Sequence, residues 1–146
     1  MKKLLLLLLL SVSVTGISQK LNLDLLKDMQ PRNVGPAGMS GRITAIDAVT
    51  DNPDIIYAGS ASGGLWKSTS GGVTWKPVFE NEATSSIGAV AIQQSNPSVV
   101  WVGTGEGNPR NSLNGGFGIY KSLDGGKTWK CMGLEKTRHI YLSLIH

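Results

Sequence analysis

The sequence predicts an all-β fold, a β-propeller fragment of two four-stranded antiparallel blades with the start of a third, and three observations predict it. The chain repeats itself with a period of about 45 residues. Each copy contains four short apolar runs separated by turn residues. In each copy the third run leads into a similar polar octapeptide with a Gly-Gly pair, Ser68–Trp75 and Ser122–Trp129. Composition agrees, because 19 glycines and a charged fraction of only 16% suit many tight turns between short strands.

Taken in order, the chain opens with Met1-Lys2-Lys3 and the unbroken run Leu4 to Leu10, extended by Ser11-Val12-Ser13-Val14. That apolar stretch is too short to span a bilayer as a helix. Gly16-Ile17-Ser18 before Gln19 fits a cleavage site, so residues 1–18 read as a secretory signal peptide. The competing reading is an uncleaved anchor, which the length disfavours. The expected location is secreted, periplasmic or cell-surface, with no membrane span after cleavage. The formal charge of +4 then shrinks, since losing Lys2 and Lys3 leaves 12 Lys+Arg against 10 Asp+Glu. The remaining cations are scattered, so no nucleic-acid partner is expected. Residues 19–41 form a lead-in.

Blade 1 is expected over 42–85, blade 2 over 86–138, and a truncated third over 139–146. Asn52-Pro53-Asp54-Ile55-Ile56-Tyr57-Ala58-Gly59 matches Asn96-Pro97-Ser98-Val99-Val100-Trp101-Val102-Gly103, 44 residues later. Trp66-Lys67-Ser68 matches Tyr120-Lys121-Ser122 at an offset of 54, so ten extra residues follow Gly103. The strands expected in the first copy are Ile43–Val49, Ile55–Gly59, Leu65–Lys67 and Val73–Val78, with a turn at Asn52-Pro53. Those in the second are Ile87–Ile92, Val99–Thr104, Gly118–Lys121 and Lys127–Met132. Tyr57, Trp66, Trp75, Trp101, Tyr120 and Trp129 fall on or beside strands, where packing between sheets is their expected role ahead of ligand stacking.

The octapeptides carry structural chemistry. Ser122, Asp124, Gly126, Thr128 and Trp129 occur in the pattern Ser-x-Asp-x-Gly-x-Thr-Trp; Ser68, Ser70, Gly72, Thr74 and Trp75 repeat it with Ser70 in the Asp place. A short side-chain oxygen there accepts turn N–H groups that have no ladder partner. Glycine permits the positive φ of the turn. Asp124 therefore reads as a turn-former, not a catalytic carboxylate.

These octapeptides, with Arg32-Asn33-Val34-Gly35-Pro36, Gly41-Arg42-Ile43, Gly59–Ser68 and Gly103-Thr104-Gly105-Glu106, resemble the Asp-box (BNR) repeat propellers. The likeness covers roughly Pro31 to His139 and is nearest to secreted bacterial sortilin-like and BNR-repeat proteins. The resemblance implies an extracellular scaffold that binds a peptide, protein or glycan without catalysis in this region. The alternative it implies is the N-terminal part of a sialidase- or xyloglucanase-like glycoside hydrolase whose carboxylates lie mostly beyond residue 146. One fold serves several tasks, so the boxes specify architecture more than activity.

Topology then locates a candidate site. In an up-and-down sheet, the loop after the second strand shares a face with the blade-to-blade linker. The ten-residue insertion of the second copy falls there. Arg42, Glu106, Asn108, Arg110, Asn111, Arg138 and His139 are the candidate ligand-binding residues. Arginine suits acidic or polar ligands through its forked donors. The competing reading pairs Glu106 and Arg110 with each other or with backbone, stabilising the loop. No catalytic pair is expected, because glycoside hydrolysis wants two opposed carboxylates and only Glu106 sits well. His139 and His146 lack metal-ligand spacing. Gly103-Thr104-Gly105-Glu106-Gly107 precedes no predicted helix, so it is no phosphate loop. Cys131 stands alone. No cofactor and no metal are expected.

Overall fold

In the computed structural model, residues 42–108 and 112–141 are described. The expected signal peptide (1–18) and lead-in (19–41), with Arg110, Asn111 and residues 142–146, lie outside them. The described chain contains eight strands: β1 (Ile43–Val49), β2 (Asn52–Ser60), β3 (Leu65–Thr69), β4 (Lys76–Pro77), β5 (Ile87–Ile92), β6 (Val100–Thr104), β7 (Ile119–Ser122) and β8 (Lys130–Gly133). They form two four-stranded antiparallel sheets in sequential order, β1-β2-β3-β4 and β5-β6-β7-β8. Two such up-and-down sheets side by side are two blades of a β-propeller.

The repeat seen in sequence is a repeat of register. Ala45 pairs with Gly59 and Ala89 with Gly103; Tyr57 pairs with Lys67 and Trp101 with Lys121. Both first strands slip by one residue near their start, between Ile43 and Ala45 and between Ile87 and Ala89. At the slip in sheet 1, the Thr44 hydroxyl donates to the Ile87 carbonyl of the next sheet at 2.6 Å. At the slip in sheet 2 stands Gly88, whose missing side chain would strike the carbonyls of Gly105 and Ile140.

One core joins the sheets. Tyr57, Leu65, Phe79, Ile87, Val90, Ile92, Val100, Val102 and Tyr120 are buried together, with Val49. All six residues of β5 are buried, because that strand packs on β1 and β2 while pairing with β6. Strand β1 alternates less cleanly and leaves Ile43 and Ile46 exposed. Asp47 holds the sheets together, accepting the Ile92 N–H at 2.7 Å.

Several strand limits differ from the sequence expectation, each for a local reason. The outer strands start later than Val73 and Lys127 because the turns last longer. The Thr74 N–H is taken by the Ser70 hydroxyl, and the Lys127 and Thr128 N–H groups by the Asp124 carboxylate, so none is free for a ladder. Pro77, having no N–H, then ends β4 after two residues. Asn52 is not a turn residue: it pairs with Val49, and the turn is Thr50-Asp51. In the second copy Asn96 does turn the chain, its carbonyl accepting the Val99 N–H at 2.9 Å, so β6 begins at Val100. Gly118 (φ 80°) precedes β7 and does not open it.

Candidate functional site

The linkers and the loops after β2 and β6 gather on one side, as the topology argument expects. Hydrogen bonds stitch them: Ala61 N–H to Arg42 carbonyl at 3.0 Å, Gly64 N–H to Ser85 at 2.8 Å, Gly105 N–H to Ser86 at 2.8 Å and Gly116 N–H to Arg138 at 2.7 Å. The inserted loop is folded back against this frame. Ser86 is its pivot: the hydroxyl accepts the Glu106 N–H at 3.1 Å and donates to the Asn114 carbonyl at 3.1 Å. Asn114 in turn donates its amide to Ala61 of the first loop at 3.3 Å. Thr104, fully buried, donates to the Gly118 carbonyl at 2.6 Å and closes the neck of the insertion.

Glu106 and Arg42 form the centre of this cluster. The Glu106 side chain is 0% exposed and its Oε1 accepts from Arg42 Nη2, while the Arg42 side chain stays 38% exposed. Burial of a lone carboxylate is costly, and an opposite charge with a hydrogen bond offsets that cost. The partner comes from the linker before β1, so the ion pair ties the second sheet's loop to the first sheet. Arg42 Nε and Glu106 Oε2 are buried without a hydrogen-bond partner. The pair thus leaves one donor and one acceptor unmatched among the described residues.

Of the sequence-predicted site residues, the structure brings Arg42 and Glu106 into contact. Arg110 and Asn111, and with them the Glu106–Arg110 pairing, lie outside the described residues. Asn108, Arg138 and His139 are exposed on the same loop and linker. The Arg138 carbonyl, not its guanidinium, does the anchoring. Ser86 and Asn114 escaped sequence reasoning. A signal for Ser86 did exist, since it stands 44 residues after Arg42, immediately before the first strand of its sheet.

The two polar hairpins sit elsewhere and are built alike. Ser68 Oγ accepts the N–H groups of Ser70 (3.1 Å) and Gly72 (2.9 Å), and Ser122 Oγ those of Asp124 (3.3 Å) and Gly126 (2.8 Å). Gly72 and Gly126 both have φ 87°, which a side chain would strain. Hydrogen bonds from the Thr128 hydroxyl and N–H, then from Ser122, hold the Asp124 carboxyl well below the usual carboxylate range. Asp124 is thereby a turn-former in geometry.

A separate cavity of about 400 Å3 lies between the sheets, lined among others by Lys67, Phe79, Glu80, Glu82, Lys127 and Trp129. Burial raises the Glu82 carboxyl there and lowers Lys67. It contains none of the candidate residues. Among the described residues no three His, Cys, Asp or Glu side chains converge as metal ligands would.

Fold and site together define a propeller chain whose linker side carries a polar loop with anchored ends. No protein-family model matches the chain. It is 37% identical over 111 residues to the xyloglucanase Xgh74A of Acetivibrio thermocellus, a match taking in 66% of this chain and 13% of that enzyme. A second Xgh74A sequence from Acetivibrio thermocellus matches to the same extent. Among solved structures, an ancestral GH74 enzyme superposes with a TM-score of 0.50 at 24% identity, over 66% of this chain and 13% of that one. The Niastella koreensis GH74 enzyme gives a TM-score of 0.48 at 25% identity, over 66% and 14%. The chain is thus related to glycoside hydrolases, and it spans 13% of the length of the curated relatives it matches.

Proposed function

We propose that these two blades belong to an exported, xyloglucanase-type glycoside hydrolase and supply part of the wall that holds its polysaccharide. The observation that carries the reading is the 37% identity to a xyloglucanase over 111 residues. The anchored loop adds to it. Arg42, Asn108, Arg110, Asn111, Arg138 and His139 would meet sugar hydroxyls, with Glu106 fixing the loop through Arg42. Neutral sugars call for such a mixture of donors and acceptors. Glu106, held in an ion pair, is not one of the catalytic carboxylates in this reading.

A second reading keeps the fold and drops the chemistry: an Asp-box, sortilin-type scaffold that binds an extracellular peptide, protein or glycan. The engagement of Glu106 by Arg42, which takes it out of use as a free carboxylate, favours it. The relatives support the hydrolase over this scaffold. The test is the full-length gene product incubated with xyloglucan, with new reducing ends and retained polysaccharide measured together. New reducing ends support the hydrolase. Retention without new ends moves the assignment to the scaffold.

A further inference from the structure

An asparagine side chain can be attacked by the backbone nitrogen of the next residue. The attack needs an N–H on that residue, little bulk there, and an amide carbon within reach. Five asparagines lie among the described residues. Asn52, Asn96 and Asn108 precede Pro53, Pro97 and Pro109, which have no N–H to attack with. Asn81 precedes the bulky Glu82. Of the five, Asn114 precedes a glycine, Gly115.

The surroundings of that pair favour the attack. Asn114 and Gly115 are both exposed, in the returning half of the inserted loop. A side chain at Gly115 would meet nothing within 4 Å, so the backbone there has space to turn. The Gly115 N–H has no acceptor among the described residues. The carbonyl of the same peptide unit, that of Asn114, accepts the Glu106 N–H at 3.0 Å and the Ser86 hydroxyl at 3.1 Å. Negative charge that forms on the Gly115 nitrogen spreads onto this oxygen, and two donors there favour it. The Asn114 amide itself is held by one long hydrogen bond, to the Ala61 carbonyl at 3.3 Å. Asp124-Gly125, the comparable pair in the hairpin of sheet 2, is the opposite case. The Gly125 N–H donates to the Ser98 carbonyl at 2.8 Å. The Asp124 carboxylate accepts from Ser122, Lys127 and Thr128, which keeps it ionised and resistant to a nucleophile.

We propose that Asn114 is a spontaneous deamidation site whose conversion releases the inserted loop from sheet 1. The Gly115 nitrogen gives its proton to hydroxide and bonds to Asn114 Cγ. The Cγ–Nδ2 bond breaks, and the nitrogen leaves as ammonia after taking a proton from water, which restores the hydroxide. A second water opens the succinimide ring at one of its two carbonyls, leaving aspartate or isoaspartate. A carboxylate has no N–H to donate, so the tie to Ala61 is lost and two oxygens face each other in its place. Each conversion also adds a negative charge to the linker side. The chemistry needs only water and is independent of the hydrolase reading.

The test is timed incubation of the full-length gene product, folded and in urea, followed by peptide mapping for aspartate and isoaspartate. In the folded chain Asn114 is expected to convert within about tenfold of its rate in urea, as a segment with little local protection does. A greater slowing than that overturns the site. The folded-state rate is expected to rise in proportion to hydroxide, and a rate independent of pH overturns the attack by a deprotonated nitrogen. Gly115→Ala fits the open space and is expected to slow conversion; an unchanged rate overturns the role of Gly115. Release of the loop is read separately, on Asn114→Asp, by proteolytic nicking of the inserted loop. Faster nicking than in the parent chain supports release, and nicking at the parent's rate overturns it.

Discussion

Sheets 1 and 2 share topology, register and hairpin chemistry, yet sheet 2 is better connected. Its hairpin tryptophan, Trp129, packs on Phe79 of sheet 1, whereas Trp75 is 37% exposed and bonds only within its own turn, to Gly72. Its second loop reaches back to Arg42, whereas the corresponding loop of sheet 1 is the four residues Ala61–Gly64. The difference teaches that in a repeat fold the same residue acquires its energetic weight from the neighbouring unit and not from its own sheet.

The largest expected effect tests that statement directly. Trp129→Ala removes an inter-sheet ring contact and a hydrogen bond, and should lower unfolding free energy by about 3 kcal/mol. Trp75→Ala should cost less, about 1–2 kcal/mol, because over a third of the residue is already in water and it has no inter-sheet ring partner among the described residues. Denaturant midpoints of the two variants check this. Equal losses would mean that the turn itself, not the neighbour, sets the value of the tryptophan.

The ion pair comes next. Arg42→Met strands a buried carboxylate and should destabilise by about 2 kcal/mol, less than a fully buried pair because Arg42 is partly solvated. Glu106→Gln in the same chain should recover part of that loss. If Arg42→Met alone is neutral, the pair does not hold the inserted loop. Proteolytic nicking between residues 107 and 115 gives an independent readout, rising in Arg42→Met and falling back in the double variant.

Much of this was legible from sequence, and what escaped did so for identifiable reasons. Repeat spacing located β1 and β5 because each strand opens on an isoleucine, Ile43 or Ile87, at the same place in the 44-residue repeat. The hairpin oxygens were legible because each acts within four residues of its own position. Arg42 and Glu106 were both picked as site residues, but their pairing was not, since 64 positions and a sheet boundary separate them. The outer strands were drawn too long because Val73, Thr74 and Thr128 have strand propensity that side-chain turn acceptors override.

Alkaline titration separates the sheets further. Burial, then the charge of Asp124, pushes the Tyr57 hydroxyl up to about 12. A phenol raised in the fold from about 10 contributes stability that is complete below pH 10 and lost as pH rises toward 12. Sheet 2 has Trp101 at this position and nothing to titrate. Tyr57→Phe should therefore flatten the loss of stability between pH 10 and 12, while costing about 1 kcal/mol at neutral pH for the hydrogen bond to Gly125. An unchanged alkaline profile would assign the loss to other groups.

The smallest expected effect asks whether the two hairpins are interchangeable. In sheet 2 the Asp124 carboxylate accepts from Ser122, Lys127 and Thr128. In sheet 1 the Ser70 hydroxyl sits in the same place and bonds only to Thr74 and Ser68. Ser70→Asp should adopt the Asp124 arrangement, because the Ser68 hydroxyl and both Thr74 donors are already placed around it. Its folded-state pKa would then fall below that of an unfolded Asp, near 3.9, so its stabilisation would be present above that pH and lost as pH falls below it. The thermal midpoint should rise by about 1–3 °C at pH 7 and converge with the parent chain near pH 2. A gain that persists at pH 2 would trace to something other than an ionised turn acceptor, and the two hairpins would then differ in mechanism as well as in company.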